Sequence, residues 1–167
     1  GASGRAERIE RMYRPIKRWF QSLNRGETET PGFPVDDPRL AAAAILVHIV
    51  AVDGIITDDE RAVLRRVLSG RYGLDDEQVE ELIRQARKRD EDAVDLYGFT
   101  SILKRVLDED GRRSVVEMMW ETSFADGHLL EFEDNTVWRV AELLGISNRD
   151  RIAIRKRVET RIGTAPG

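Results

Sequence analysis

One phrase stands twice in this chain, 73 residues apart, and it limits the fold more than any other feature. "VDGIITDDE" at residues 52–60 returns as "ADGHLLEFE" at 125–133, so that Asp53, Gly54, Ile56 and Glu60 fall on Asp126, Gly127, Leu129 and Glu133. The correspondence continues from Val63-Leu64 onto Thr136-Val137 and from Val67 onto Val140; after a slip of one residue "YGLDD" meets "LGISN". Around both copies the apolar residues recur at intervals of three and four, and the β-branched alternation that a strand needs is missing. The repeated unit therefore reads as helix, Asp-Gly loop, helix, Gly turn, helix. Two such units joined by one further helix predict an all-α fold, a seven-helix bundle of two pseudo-symmetric helical repeats.

The punctuation sets the expected helices. The first runs from about Pro38, a good first helical residue, to Val52, with Gly54 supplying the left-handed stop. Thr57-Asp58-Asp59-Glu60 is a capping box that opens the second, through Ser69, with Ala62, Val63, Val67 and Leu68 expected on its inner face. Asp75 caps the third, which ends in the basic turn "RKRD". The fourth spans about Glu91 to Asp108, with Leu96, Phe99, Leu103 and Val106 turned inward and Gly111 as its end. The fifth runs from about Arg112 to Ala125 and the sixth from about Leu130 to Leu144. The seventh follows Ser147, its N-cap, to about Arg161.

Charge divides the chain further. Residues 5–25 carry seven basic side chains against two acids, whereas residues 26–167 hold twenty bases against twenty-nine acids. Within the basic arm, Ile9, Met12, Tyr13, Ile16, Trp19, Phe20 and Leu23 form an apolar stripe at helical spacing, broken by Pro15. Such an amphipathic helical arm either docks on the acidic body or lies on anionic lipid through residues 8–23. Three prolines and two glycines make 26–38 a linker, leaving 39–162 as the helical domain, 163–167 as a tail and 1–4 as a cloning scar. With no cysteine, neither a disulfide nor a thiolate metal site is possible, and a cytoplasmic address is the simplest reading. The longest apolar run, Leu40 to Val52, is broken by His48 and is too short to cross a bilayer. No secretory leader is recognisable ahead of the domain.

The Asp-Gly loops invite a metal. In an EF-hand loop the Asp-Gly pair takes the fifth and sixth positions, an apolar residue the eighth and a bidentate Glu the twelfth. Both copies satisfy this, but the first and third ligands would be Ile49 and Ala51 in one loop and Thr122 and Phe124 in the other. A calcium ion asks for six to eight oxygens, which neither half-loop supplies alone. The structural reading is that Asp satisfies loose N–H groups, Gly supplies positive φ and Glu reaches back to the helix start. The functional reading is a weak or shared divalent-cation site, calcium or magnesium, with Asp53, Glu60, Asp126 and Glu133 as candidate ligands.

The twin loops, together with "DLYGFTSIL" at 95–103, "VVEMMWETSFADG" at 115–127 and "EDNTVWRVAELLG" at 133–145, resemble the TerB-type domain of bacterial tellurite-resistance proteins over about Asp37 to Ile162. The resemblance implies an all-helical fold of two similar halves and acidic loop residues suspected of holding a divalent cation. It also implies work with partner proteins at the inner membrane face in tellurite and stress response. One departure stands out: Leu130 occupies the place of Thr57, so the second loop lacks the hydroxyl cap of the first.

Other residues have a plain role and a sharper one. His48 falls on Glu121 under the repeat, and both are candidates for approaching a site near the loops; a core or groove histidine satisfied by a neighbour is the plain role. Met118, Met119, Trp120 and Trp138 are expected in the core, with a hydrophobic partner groove as the alternative. Asp108-Glu109-Asp110 and Glu131 to Asp134 are either solvated helix ends or a field that gathers cations. No Gly-rich phosphate loop, cysteine nucleophile or Gly-x-Ser-x-Gly setting appears, and an acidic body disfavours nucleic acid. The expected function is a non-enzymatic interaction module, with a metal-dependent hydrolase built on the paired loop carboxylates as the alternative.

Overall fold

The computed structural model describes residues 32–51, 54–93, 95–125 and 131–163, without the side chains of 125 and 131–134. The chain divides after Val35 into two units, and all the described helices belong to the second. The arm expected at 5–25, most of the linker, Asp53, the loop 126–130 and the tail from 164 lie outside the described residues.

Among the described residues seven helices follow one another: α1 (Pro38–Val50), α2 (Asp58–Tyr72), α3 (Asp76–Asp92), α4 (Tyr97–Val106), α5 (Glu109–Ala125), α6 (Glu131–Leu143) and α7 (Asn148–Gly163). No β-strand occurs among the described residues. The all-α bundle expected from the apolar spacing is therefore the fold.

Most of the described starts are written locally. Asp37 caps α1 by accepting from the Arg39 N–H at 2.8 Å, with Pro38 in the first turn where no N–H is needed. Thr57 and Glu60 form a reciprocal box at α2, and Asp75 and Gln78 form another at α3. Ser147 Oγ accepts from the Asp150 N–H at 3.1 Å at α7. Both Gly turns use one device. Gly73 (φ 63°) and Gly145 (φ 77°) take the left-handed conformation. The next residue, Leu74 or Ile146, is buried and sends its N–H back to Ser69 O at 3.2 Å or Ala141 O at 2.9 Å.

Helix α1 is the axis of the domain. Ten of its thirteen residues are buried, from Leu40 through Val47 and then Ile49 and Val50, as befits a helix apolar all round. It packs most extensively on α3 and then on α4, α5 and α2; the short side chains Ala41 to Ala44 let these neighbours approach closely. Helix α5 is the second axis, packed chiefly on α7 and then on α1, with Val115, Val116, Met118, Met119 and Trp120 in the core. Trp120 stacks on Phe124 with ring centroids 5.6 Å apart and carries the Arg155 guanidinium 5.2 Å over its ring.

Several expectations are corrected. Helix α1 stops at Val50, where Ala51 caps it through the Val47 carbonyl at 2.8 Å, ahead of the Gly54 turn at φ 75°. Helix α2 continues past Ser69 to Tyr72 and turns Leu64, Val67 and Leu68 inward; Ala62 is exposed and Val63 half-buried. Helix α3 runs through Asp92, because Val79, Leu82, Ile83 and Ala86 anchor one face while Lys88, Glu91 and Asp92 beyond them stay exposed to solvent. Helix α4 accordingly begins only at Tyr97, whose N–H is taken by Asp95 Oδ1 at 2.9 Å, and Val106 at its end is 49% exposed. Gly111 ends nothing. It lies inside the first turn of α5, its N–H donated to Asp108 Oδ1 at 2.8 Å, where an added Cβ would meet the Leu107 Cβ at 3.1 Å.

Candidate functional site

The first Asp-Gly loop is braced from two sides. Ahead of α2, the Thr57 N–H donates to Glu60 Oε1 at 3.1 Å and the Glu60 N–H donates to Thr57 Oγ1 at 3.2 Å. From α3, Arg87 donates to the Gly54 carbonyl at 3.1 Å. One turn further along α3, Asp90 Oδ1 meets His48 Nδ1 of α1 at 2.9 Å. Arg87 and Asp90 are three residues apart and share a helix face, so one edge of α3 holds both the end of α1 and the loop that follows. The Asp90 hydrogen bond raises the His48 pKa, burial opposes it, and the negative charge of Asp90 adds to the rise.

Of the four candidate ligands, Glu60 alone has a described side chain. It commits Oε1 to the brace, while no partner is recorded for Oε2. Asp53, Asp126 and the Glu133 side chain lie outside the described residues. No group of three or more His, Asp or Glu side chains with metal-binding geometry occurs among the described residues.

Glu121 and His48, paired by the repeat, go to different partners. Glu121 Oε1 accepts from Arg71 of α2 at 2.8 Å and from Arg161 of α7 at 2.7 Å, and Glu117 one turn earlier accepts from Arg161 at 3.1 Å. Burial acts to raise the Glu117 carboxyl, but its hydrogen bond to Arg161 and the charges of Arg71 and Arg161 outweigh this and hold it below its usual range. The four charges clamp α2, α5 and α7 beside an open cavity of about 490 Å³. Sequence reasoning missed this clamp. Its only local signal is the i, i+4 spacing of Glu117 and Glu121.

Trp138 corrects the core expectation. Met118, Met119 and Trp120 are at most 1% exposed, whereas Trp138 of α6 is 40% exposed. Its indole N–H donates to Asn148 Oδ1 at 3.1 Å and the Arg151 guanidinium sits 5.9 Å from the ring centroid, both from α7. Beside it runs an open groove of about 500 Å³ lined also by Asn135, Arg139, Glu142 and Leu143. The outward wall of α6 is thus a pinned aromatic surface.

The acidic run at 108–110 is exposed and serves the start of α5: Asp108 caps it, and Glu109 pairs with Arg113 at 2.7 Å. Among the described residues no helix is long and apolar enough to cross a membrane.

No curated protein and no solved structure matches the chain significantly. The family model described as tellurite resistance protein TerB matches residues 39–156, from the first turn of α1 into α7. That span covers more than two thirds of the chain, including the braced start of α2, and the chain belongs to the TerB tellurite-resistance family.

Proposed function

We propose that this chain is a non-enzymatic module of bacterial tellurite and stress response that works by holding partner proteins. The observation that carries the reading is Trp138: a large aromatic side chain, 40% exposed, fixed by Asn148 and Arg151 beside an open groove. Aromatic residues fixed before binding lose little side-chain freedom on contact and are enriched among the residues that dominate protein interfaces. Trp138→Ala removes that surface while leaving the buried residues in place. Affinity capture from bacteria challenged with tellurite, with the wild-type chain and Trp138→Ala as baits, tests it. The reading expects captured proteins to be lost with the variant while its melting temperature stays within a few degrees; equal capture by both baits overturns it.

The same proposal includes a weak calcium or magnesium site shared by Asp53, Glu60, Asp126 and Glu133, supported by the Glu60 oxygen that the brace does not use. Binding to the native state alone would raise the melting temperature by mass action. The Asp53→Asn, Asp126→Asn double variant should abolish that rise, and a wild-type chain that no divalent cation stabilises removes the site from the proposal. Peripheral contact with the inner membrane face through residues 8–23 completes it. Flotation on anionic vesicles should weaken with salt and vanish when residues 1–26 are deleted; flotation that survives the deletion excludes the arm.

A further inference from the structure

The domain is acidic, with twenty bases against twenty-nine acids beyond residue 25, yet the outer face of α7 is basic. Arg149, Ile152, Lys156 and Arg157 are all exposed, Ile152 at 47%. At 100° per residue Arg149, Ala153, Lys156 and Thr160 form the crest of this face; Ile152 flanks it on one side and Arg157 on the other. The opposite side of the helix carries Ile154 and Val158, 2% and 1% exposed, which fixes the outward direction of the basic face. Among the described residues Arg149, Lys156 and Arg157 have no hydrogen-bond or ion-pair partner, in contrast to Arg161, which is spent on Glu117 and Glu121. Two acids border this face: Glu159, exposed, at the Ile152 edge, and Asp150 at the Arg157 edge, whose carboxylate is paired with Arg113 at 2.9 Å. Asn148, one turn before Ile152, is the residue that holds the Trp138 indole. The apolar edge of the basic face is therefore continuous with the aromatic surface of α6.

A solvated helix face in an acidic domain carries charges of both signs that neutralise one another across i, i+4 spacings, as Arg113 and Glu109 do on α5. Here three cations stand without an ion-pair partner among the described residues, beside two exposed apolar side chains. This combination favours a ligand that is anionic and also presents an apolar anchor. We propose that the outer face of α7, with Trp138 at its edge, docks an acidic protein segment: Asp and Glu side chains meet Arg149, Lys156 and Arg157, and an apolar anchor covers Ile152 and Trp138. This names the partner chemistry of the interaction function proposed above and rests on that reading.

The test uses the full ¹⁵N-labelled chain and a synthetic peptide of about twelve residues, rich in Asp and Glu with Leu at helical spacing. Binding should shift the amides around Arg149, Ile152 and Lys156 and the Trp138 indole N–H. Affinity should weaken with salt and fall about tenfold or more in the charge reversal Arg149→Glu, Lys156→Glu, Arg157→Glu. The basic arm is present in both proteins and its contribution cancels in that comparison. Shifts confined elsewhere, or equal affinity of the reversal variant, overturn the proposal. Two parallel arms assign the face to another occupant and overturn it likewise: shifts of these amides on anionic but not neutral vesicles without any response to peptide, or concentration-dependent self-association that broadens them. Capture by wild type and by the charge reversal, but not by Trp138→Ala, removes the acidic partner and leaves the interaction function standing. Capture unaffected by either variant removes both.

Discussion

The two axes of the domain tie themselves to their neighbours at matching places with opposite charge. In the first half, His48 lies just before the end of α1 and reaches Asp90 near the end of α3. In the second half, Glu121 lies before the end of α5 and reaches Arg161 near the end of α7. The sequence repeat pairs His48 with Glu121, so one position of the unit carries a base in one copy and an acid in the other. The difference lies in permanence. His48 pairs with the single carboxylate of Asp90, which raises its pKa above the usual histidine value, whereas Glu117 and Glu121 share Arg71 and Arg161, which hold the Glu117 carboxyl below its usual range. A helix pair can thus be closed by a responsive tie or by a constant one without altering the apolar packing beneath it.

The comparison breaks most visibly if the axes are not of equal weight. Ile45→Ala in α1 and Met119→Ala in α5 each remove a fully buried side chain and should cost about 2–5 kcal/mol in urea denaturation, through a single transition. Two transitions, or a cost below about 1 kcal/mol in either helix, would mean that one half is secondary.

Next in size is the constant tie. Glu117→Gln with Glu121→Gln leaves Arg71 and Arg161 without their acids, and should cost about 1–2 kcal/mol since these carboxylates are only partly exposed. The loss should shrink as salt rises. A salt-independent loss would assign the effect to packing.

The brace of the first loop comes third. Thr57→Ala and Glu60→Ala should each lower stability by roughly 0.5–2 kcal/mol with no metal present. Glu60→Gln should retain most of it, since an amide oxygen accepts the same Thr57 N–H. If Glu60→Gln instead matches Glu60→Ala, the negative charge rather than the capping bond is what the loop needs.

The responsive tie has the smallest effect. The folded-state pKa of His48 is raised above its unfolded value, so its stabilisation is fully present below about pH 6.5 and is lost as pH rises through the folded value. The histidine is 42% exposed and solvent screening keeps the amplitude under about 1 kcal/mol. His48→Gln should flatten this part of the stability profile, and an unchanged profile would place the titration elsewhere.

Much of the architecture was legible because its determinants are local. Thr57 with Glu60, Asp75, Ser147, and the Gly73 and Gly145 turns act within about one helical turn of themselves, and each performs the expected role. The errors also have local causes. Gly111 resembles a stop in the sequence but is a matter of space, since an added Cβ would press on Leu107 and Asp108 at 3.1 to 3.3 Å and they would have to give way. The boundary between α3 and α4 was placed too early because the charged run after "RKRD" continues a helix as readily as it ends one. At the candidate site, the role of Glu60 in the brace followed from its spacing to Thr57. The hold of Arg87 on Gly54 and of Asp90 on His48 did not, because each spans more than thirty residues.

The sequence by itself determined that the chain is helical and where most helices begin, since apolar period and cap chemistry are properties of neighbouring residues. Tertiary structure alone decided which of two similar side chains is core and which is surface. Trp120 and Trp138 both occupy apolar positions of helices, yet one is fully enclosed beneath Phe124 and Arg155 and the other stands open beside Asn148. It also decided which charges are spent, with Arg161 clamped to α5 and Lys156 left facing outward from the same helix. Burial and pairing depend on which helices meet, and that is fixed by packing between segments far apart in the chain.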